Sequence, residues 1–260
     1  MKPTQYQNIN NLLDILLSKM QQVLGEKLVG LYLYGSLVIG DFDESISDID
    51  LLAVLESELN DEEFKALQKM HEDFASEYKE WDNRIEVQYM PKSALKTFKT
   101  QETEVAIISP GESFHLKKVG KRWLINWYLV SKKGVTIFGP SPKSLIPPIS
   151  KAEFIQTNKE HIKECGEWVK DMHTKRAQAY AILTMCRALY AIKFGEQPSK
   201  KQAALWAEKE LPQWSQLIKD ALIWRVGEKE SHSDDIKTYP ETEQFVNYVI
   251  SLTMESRRKN

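Results

Sequence analysis

Five residues within sixteen positions combine a tight turn, two hydroxyls and two carboxylates: Gly35, Ser36, Ser47, Asp48 and Asp50. Gly35-Ser36 closes the apolar run Leu28 to Tyr34. A strand that ends in Gly-Ser and opens a helix offers unpaired backbone N–H groups and a hydroxyl, which suits phosphate oxygens. Asp48 and Asp50 stand two apart at the start of a second apolar run, Ile49 to Leu55. On a strand that spacing sends both side chains from one face, where paired carboxylates hold hard divalent cations. Ile49 then points into the core. Glu86, in the alternating segment RIEVQYM, brings a third carboxylate to the same face if its strand pairs alongside, with Ile85 and Val87 turned inward. Three carboxylates beside a phosphate-cradling turn are what metal-assisted nucleotidyl transfer requires. Mg²⁺ neutralises charge on a triphosphate, and one carboxylate takes the proton of the attacking hydroxyl. An Asp- and Ser-rich loop after a strand is by default a solvated turn. Two carboxylates flanked by apolar neighbours are costly without a counter-ion, which favours the site.

The elements that must position these residues follow from periodicity. Leu12, Leu13, Ile15, Leu16, Met20, Val23 and Leu24 recur at helical spacing and predict an opening helix over about 5–25. Residues 60–80 predict a second helix, with Asn60 as cap and Asp61, Glu62 and Glu63 in its first turn. The first ninety residues thus run helix, strand, turn, strand, helix, strand, an α/β order. A further helical segment at about 121–132 and the strand-and-turn VTIFGP follow. Four of the ten prolines (Pro140, Pro142, Pro147 and Pro148) then mark a boundary, placed between residues 148 and 149.

Beyond it, helical periodicity covers about 151–170, 174–194, 199–209, 212–226 and 240–257, with GEKESHSDD as a polar loop, so the second half reads as a helical bundle. Residues 151–260 carry 18 Lys and Arg against 16 Asp and Glu, whereas residues 1–150 carry 17 against 21. The acidity gathers in Asp41, Asp43, Glu44, Asp48 and Asp50.

The motif resembles the nucleotidyltransferase superfamily related to DNA polymerase β, in which hG[GS], [DE]h[DE]h and a later acid on a neighbouring strand form the active site. Within it the chain is similar to the aminoglycoside (3'')(9) adenylyltransferases, also through VTIFGP, LTMCRALY, SKKQAALWAEKELP and FVNYV. The resemblance implies an α/β nucleotidyltransferase domain with a small mixed sheet, followed by an all-α domain that caps substrate and nucleotide. It implies that Gly35, Ser36 and Ser47 meet the ATP phosphates, that Asp48, Asp50 and Glu86 serve magnesium, and that Glu86 is the general base. Tyr248 falls at a nucleotide-contacting position of the last helix. The chain departs from the family at Arg122, where an acid is common, and at Leu222, where a base is expected. Lys219 and Arg225 flank that place. Leu189 stands where streptomycin-modifying relatives carry Trp, a departure that leaves spectinomycin less affected.

Near-equal charge, 35 basic against 37 acidic residues, excludes a bulk field that gathers nucleic acid. No stretch approaches the roughly 20 apolar residues of a membrane span. Asp14 interrupts the first apolar run, so no leader is expected and a cytoplasmic location is. Cys165 and Cys186 read as free thiols, and the five histidines lack metal-ligand spacing. The expected activity is transfer of AMP from ATP to a hydroxyl of a small cationic acceptor bound between the two domains of a monomer, with no nucleic-acid or membrane partner. The alternatives are a nucleotidyltransferase acting on a protein, RNA or metabolite, and a silent nucleotide sensor. Intact Asp48, Asp50 and Glu86 argue against the sensor.

Overall fold

The computed structural model describes residues 2–227 and 232–255, except for the side chains of 232–236 and 255. The chain divides into two compact units, Met1–Ile149 and Ser150–Asn260.

The first unit opens with α1 (Gln7–Leu24) and β1 (Leu28–Tyr34), then the single turn α2 (Ser36–Ile39) and β2 (Ile49–Leu55). Next come α3 (Asp61–Glu77), β3 (Ile85–Pro91) and α4 (Lys92–Thr97). The hairpin β4 (Thr103–Ser109) and β5 (Glu112–Val119), then α5 (Leu124–Lys133), β6 (Val135–Phe138) and α6 (Pro142–Leu145) complete it. The strands form one mixed sheet in the order β5-β4-β3-β2-β1-β6. Only β2 and β3 run parallel within it. A parallel pair needs a crossover, and α3 supplies it. Asn60 and Glu63 form a capping box that starts α3 as expected.

Ile9, Leu13, Leu16 and Met20 of α1, with Leu67, Met70 and Phe74 of α3, bury one face of the sheet. That face presents Leu31, Leu33, Ile49, Leu51, Ile85, Val87 and Tyr89. Trp127 of α5 is fully buried against Phe98, so its place in the helix serves packing.

The β4–β5 hairpin is absent from the sequence reading, which passes from residue 90 to residue 121. Its Pro110-Gly111 turn is visible, with Gly111 at φ +82. β5, however, reads ESFHLKKV with mostly exposed side chains, so no apolar stripe marks it.

The second unit contains α7 (Lys151–Trp168), α8 (Lys175–Phe194), α9 (Lys200–Glu210), α10 (Ser215–Val226) and α11 (His232–Glu255). α8 is the central helix, touched by each of the other four. Its Ala179, Ile182, Leu183, Cys186 and Leu189 make much of the core. Cys165 and Cys186 are both free and buried. Burial pushes the Cys186 thiol up to about 12, which makes it an inert core residue. The last helix begins earlier than expected: it starts at His232 and runs through Pro240. Residues 232–235 are therefore helix rather than loop, and 228–231 lie outside the described residues. Buried Gln178 explains why the helix holds beside the proline. It accepts hydrogen bonds from Thr238 (2.8 Å) and Thr242 (3.0 Å), anchoring that turn to α8.

Candidate active site

Strand register assembles the polar row. Tyr34 of β1 stands opposite Asp50 of β2, and Asp50 stands opposite Glu86 of β3. Residues opposite one another share a face, so all three project from the side turned away from α1 and α3. Asp48 lies on the same parity, just before β2, and is half-buried. Gly35 follows Tyr34 at φ +71, where a Cβ would collide with Oδ2 of Asp50. Only glycine lets the turn pass this close to the carboxylate.

Ser36 opens α2, so its N–H and that of Leu37 have no acceptor within the turn. Its Oγ is buried and, among the described residues, has no hydrogen-bond partner. Ser47 is also buried, and its Oγ accepts the backbone N–H of Asp43 at 3.0 Å. Ser47 thus braces the acidic loop and retains a hydroxyl proton to donate.

Glu86 is held by three donors. Tyr34 Oη donates to Oε1 at 2.9 Å, Gln88 Nε2 donates to Oε1 at 3.0 Å, and Ser109 Oγ reaches Oε2 at 3.3 Å. Gln88 Nε2 also donates to Tyr34 Oη at 2.8 Å. Burial pushes the Glu86 carboxyl above the usual carboxylate range, and the negative charge of Asp48 pushes the same way. The bonds from Gln88, Tyr34 and Ser109 pull against them. Burial and the charges of Glu86 and Asp50 hold the Tyr34 phenol well above its ordinary value, so it remains a donor. A half-buried carboxylate of raised proton affinity, kept in one place, is suited to take a proton from a hydroxyl.

Arg84 ties the acidic loop to β3. Its Nε and Nη2 donate to the Ser47 carbonyl at 3.1 and 2.7 Å, and Nη2 also donates to the Glu44 carbonyl at 2.7 Å. The guanidinium lies 4.4 Å over the Trp81 ring.

The structure thus brings Gly35, Ser36, Ser47, Asp48, Asp50 and Glu86 together in the first unit. Among the described residues, no group of three His, Cys, Asp or Glu side chains is gathered to hold a metal ion. The oxygens of Glu86 turn to Tyr34, Gln88 and Ser109. Magnesium still fits the remaining donors: it is commonly bound by one or two carboxylates, with water and substrate phosphates completing its shell. Asp48, Asp50 and the unsatisfied Ser36 hydroxyl are hard oxygen donors of that kind.

Tyr248 belongs to the second unit. There it lines a pocket of about 400 Å³ with Leu189, Ile192, Lys193, Trp206 and Glu210, among others. Lys219, which flanks Leu222, pairs with Glu208 at 3.2 Å. Sequence reasoning missed Tyr34, Arg84, Gln88 and Ser109. Gln88 was open to it, being the next residue after Glu86 on the same face of an alternating strand.

Comparison with known proteins accords with both units. Residues 10–110 match the nucleotidyltransferase domain family. Residues 144–251 match the family described as the aminoglycoside adenylyltransferase C-terminal domain. The fold is similar to that of the spectinomycin adenyltransferase AAD(9) from Enterococcus faecialis, whose crystal structure holds ATP and spectinomycin. That match has a TM-score of 0.74 at 18% identity and covers 93% of this chain and 98% of the other, a likeness of fold. No curated protein sequence matches. Among the described residues no helix is long and apolar enough to cross a membrane.

Proposed function

We propose that the chain, whose two units match the nucleotidyltransferase domain and the aminoglycoside adenylyltransferase C-terminal domain families, transfers AMP from ATP to a hydroxyl of a cationic aminoglycoside or aminocyclitol. The observation that carries this reading is the register row of Asp50 and Glu86 beneath the Gly35-Ser36 turn. The neighbour crystallised with ATP and spectinomycin supports it, and Leu189 favours an aminocyclitol over streptomycin.

Asp48 and Asp50 would hold Mg²⁺, which when bound offsets negative charge on the triphosphate. The Ser36 hydroxyl, the first N–H groups of α2 and the Ser47 hydroxyl donate to phosphate oxygens. Asp41, Asp43 and Glu44 draw ammonium groups of the acceptor towards the site. Glu86 takes the proton of the acceptor hydroxyl, whose oxygen bonds to the α-phosphorus. The bond from that phosphorus to the α–β bridging oxygen breaks, its electron pair leaves with pyrophosphate, and Glu86 releases its proton to solvent.

Pyrophosphate release from Mg·ATP over a panel of aminoglycosides and aminocyclitols tests the proposal, with Glu86→Gln as control. The expected result is release with at least one compound, lowered about 10³-fold in the variant while ATP binding persists. Silence across the panel with ATP bound would overturn the acceptor class.

A further inference from the structure

Gln88 is fully buried on β3, and its Oε1 has no hydrogen-bond partner among the described residues. An unsatisfied buried amide oxygen carries a desolvation cost that an apolar side chain would avoid. What the amide contributes is at its other end. Nε2 donates to both Glu86 Oε1 and Tyr34 Oη, and Tyr34 Oη donates to the same carboxylate oxygen. A carboxylate accepts only, so the amide must present its nitrogen and leave its oxygen without a donor.

The two oxygens of Glu86 are thus unequal. Oε1 receives two short bonds from side chains fixed in the sheet, and Tyr34 is itself only 4% exposed. Oε2 receives one longer contact, 3.3 Å from a serine hydroxyl that can rotate away. Resting on the reading of Glu86 as base, we propose that Tyr34 and Gln88 are positioning residues that fix Glu86 through Oε1 and reserve Oε2 for the acceptor's proton. Neither touches substrate. Ser109, the last residue of β4, stands where the incoming hydroxyl would approach and yields to it.

The test compares Tyr34→Phe and Gln88→Leu with the parent, singly and in the Glu86→Gln background. Loss of either donor is expected to lower kcat about 10- to 100-fold and leave KM for ATP within about twofold. Because both act through Glu86, neither is expected to cost more than about twofold once Glu86 is Gln. A kcat within twofold of the parent for both variants, or an equal loss in the Glu86→Gln background, would overturn the proposal. Thermal midpoints identify a variant that fails to fold, and the other variant then carries the test. A crystal structure of Gln88→Leu gives a reading that needs no acceptor: Glu86 is expected in more than one rotamer. A single unmoved rotamer sinks the proposal, whereas a spread of rotamers with a silent panel would fail the acceptor class alone.

Discussion

The two faces of the sheet each bury a tyrosine in a short polar contact, and they put it to opposite uses. On the face towards α1 and α3, His71 Nε2 lies 2.7 Å from Tyr89 Oη, with Phe114 stacked on the imidazole. On the other face, Tyr34 Oη lies 2.9 Å from Glu86. The first pair is neutral, and burial drives the His71 pKa from 6.5 to about 3, so it holds no exchangeable charge near neutrality. The second surrounds a carboxylate whose pKa burial raises and whose Oε2 has only a rotatable neighbour. A buried hydrogen bond is therefore no mark of function by itself. What separates the faces is a charge held ready, beside a turn with an unsatisfied hydroxyl.

The comparison breaks most severely at Gly35. In Gly35→Ala, a Cβ at φ +71 would strain the backbone by about 1–2 kcal/mol and collide with the Asp50 carboxylate. Transfer should fall at least 100-fold, with the His71 face untouched. Steady-state kinetics beside a thermal melt check this. Activity within tenfold of the parent would mean that Asp50 need not sit where the turn places it.

The core face is sharpened by pH. The unfolded chain protonates His71 near pH 6.5 and the folded chain only near 3, so stability is full above 6.5 and declines as pH falls through that window. Between pH 7 and 5 the loss should be about 2 kcal/mol, and His71→Gln should remove it. Glu86 has the opposite sign: its raised carboxyl costs stability at neutral pH and the cost eases on acidification. Urea unfolding at both pH values distinguishes the two. An unchanged slope in His71→Gln would assign the acid sensitivity elsewhere.

The strands beside Gly35, Asp48, Asp50 and Glu86 were legible because β1 and β2 are continuous apolar runs and β3 alternates polar with apolar residues. Ser109 was not, because β4 pairs with a strand that has no apolar stripe. Tyr34 was hidden for another reason. It looks like the last aromatic of an apolar run, and only the register against Asp50 and Glu86 shows that its hydroxyl reaches across β2 to β3. Local pattern names the face a residue takes. Long-range pairing decides what it meets there.

Arg84 offers the smallest effect, at the joint between the faces. It precedes Ile85, which enters the core, and it holds the loop that leads into Asp48 through the carbonyls of Ser47 and Glu44. Lysine keeps the charge but cannot span two carbonyls with a planar fork or lie flat on Trp81. Arg84→Lys should therefore cost about 1 kcal/mol of stability. It should raise KM for ATP about three- to tenfold while kcat stays within twofold, since Arg84 makes no bond to Glu86 or to the Tyr34, Gln88 and Ser109 side chains that hold it. Gly35→Ala, by contrast, should lower kcat. If Arg84→Lys leaves KM unchanged, the loop is held by the Ser47–Asp43 bonds alone, and the placing of Asp48 is local to its own turn rather than shared with β3.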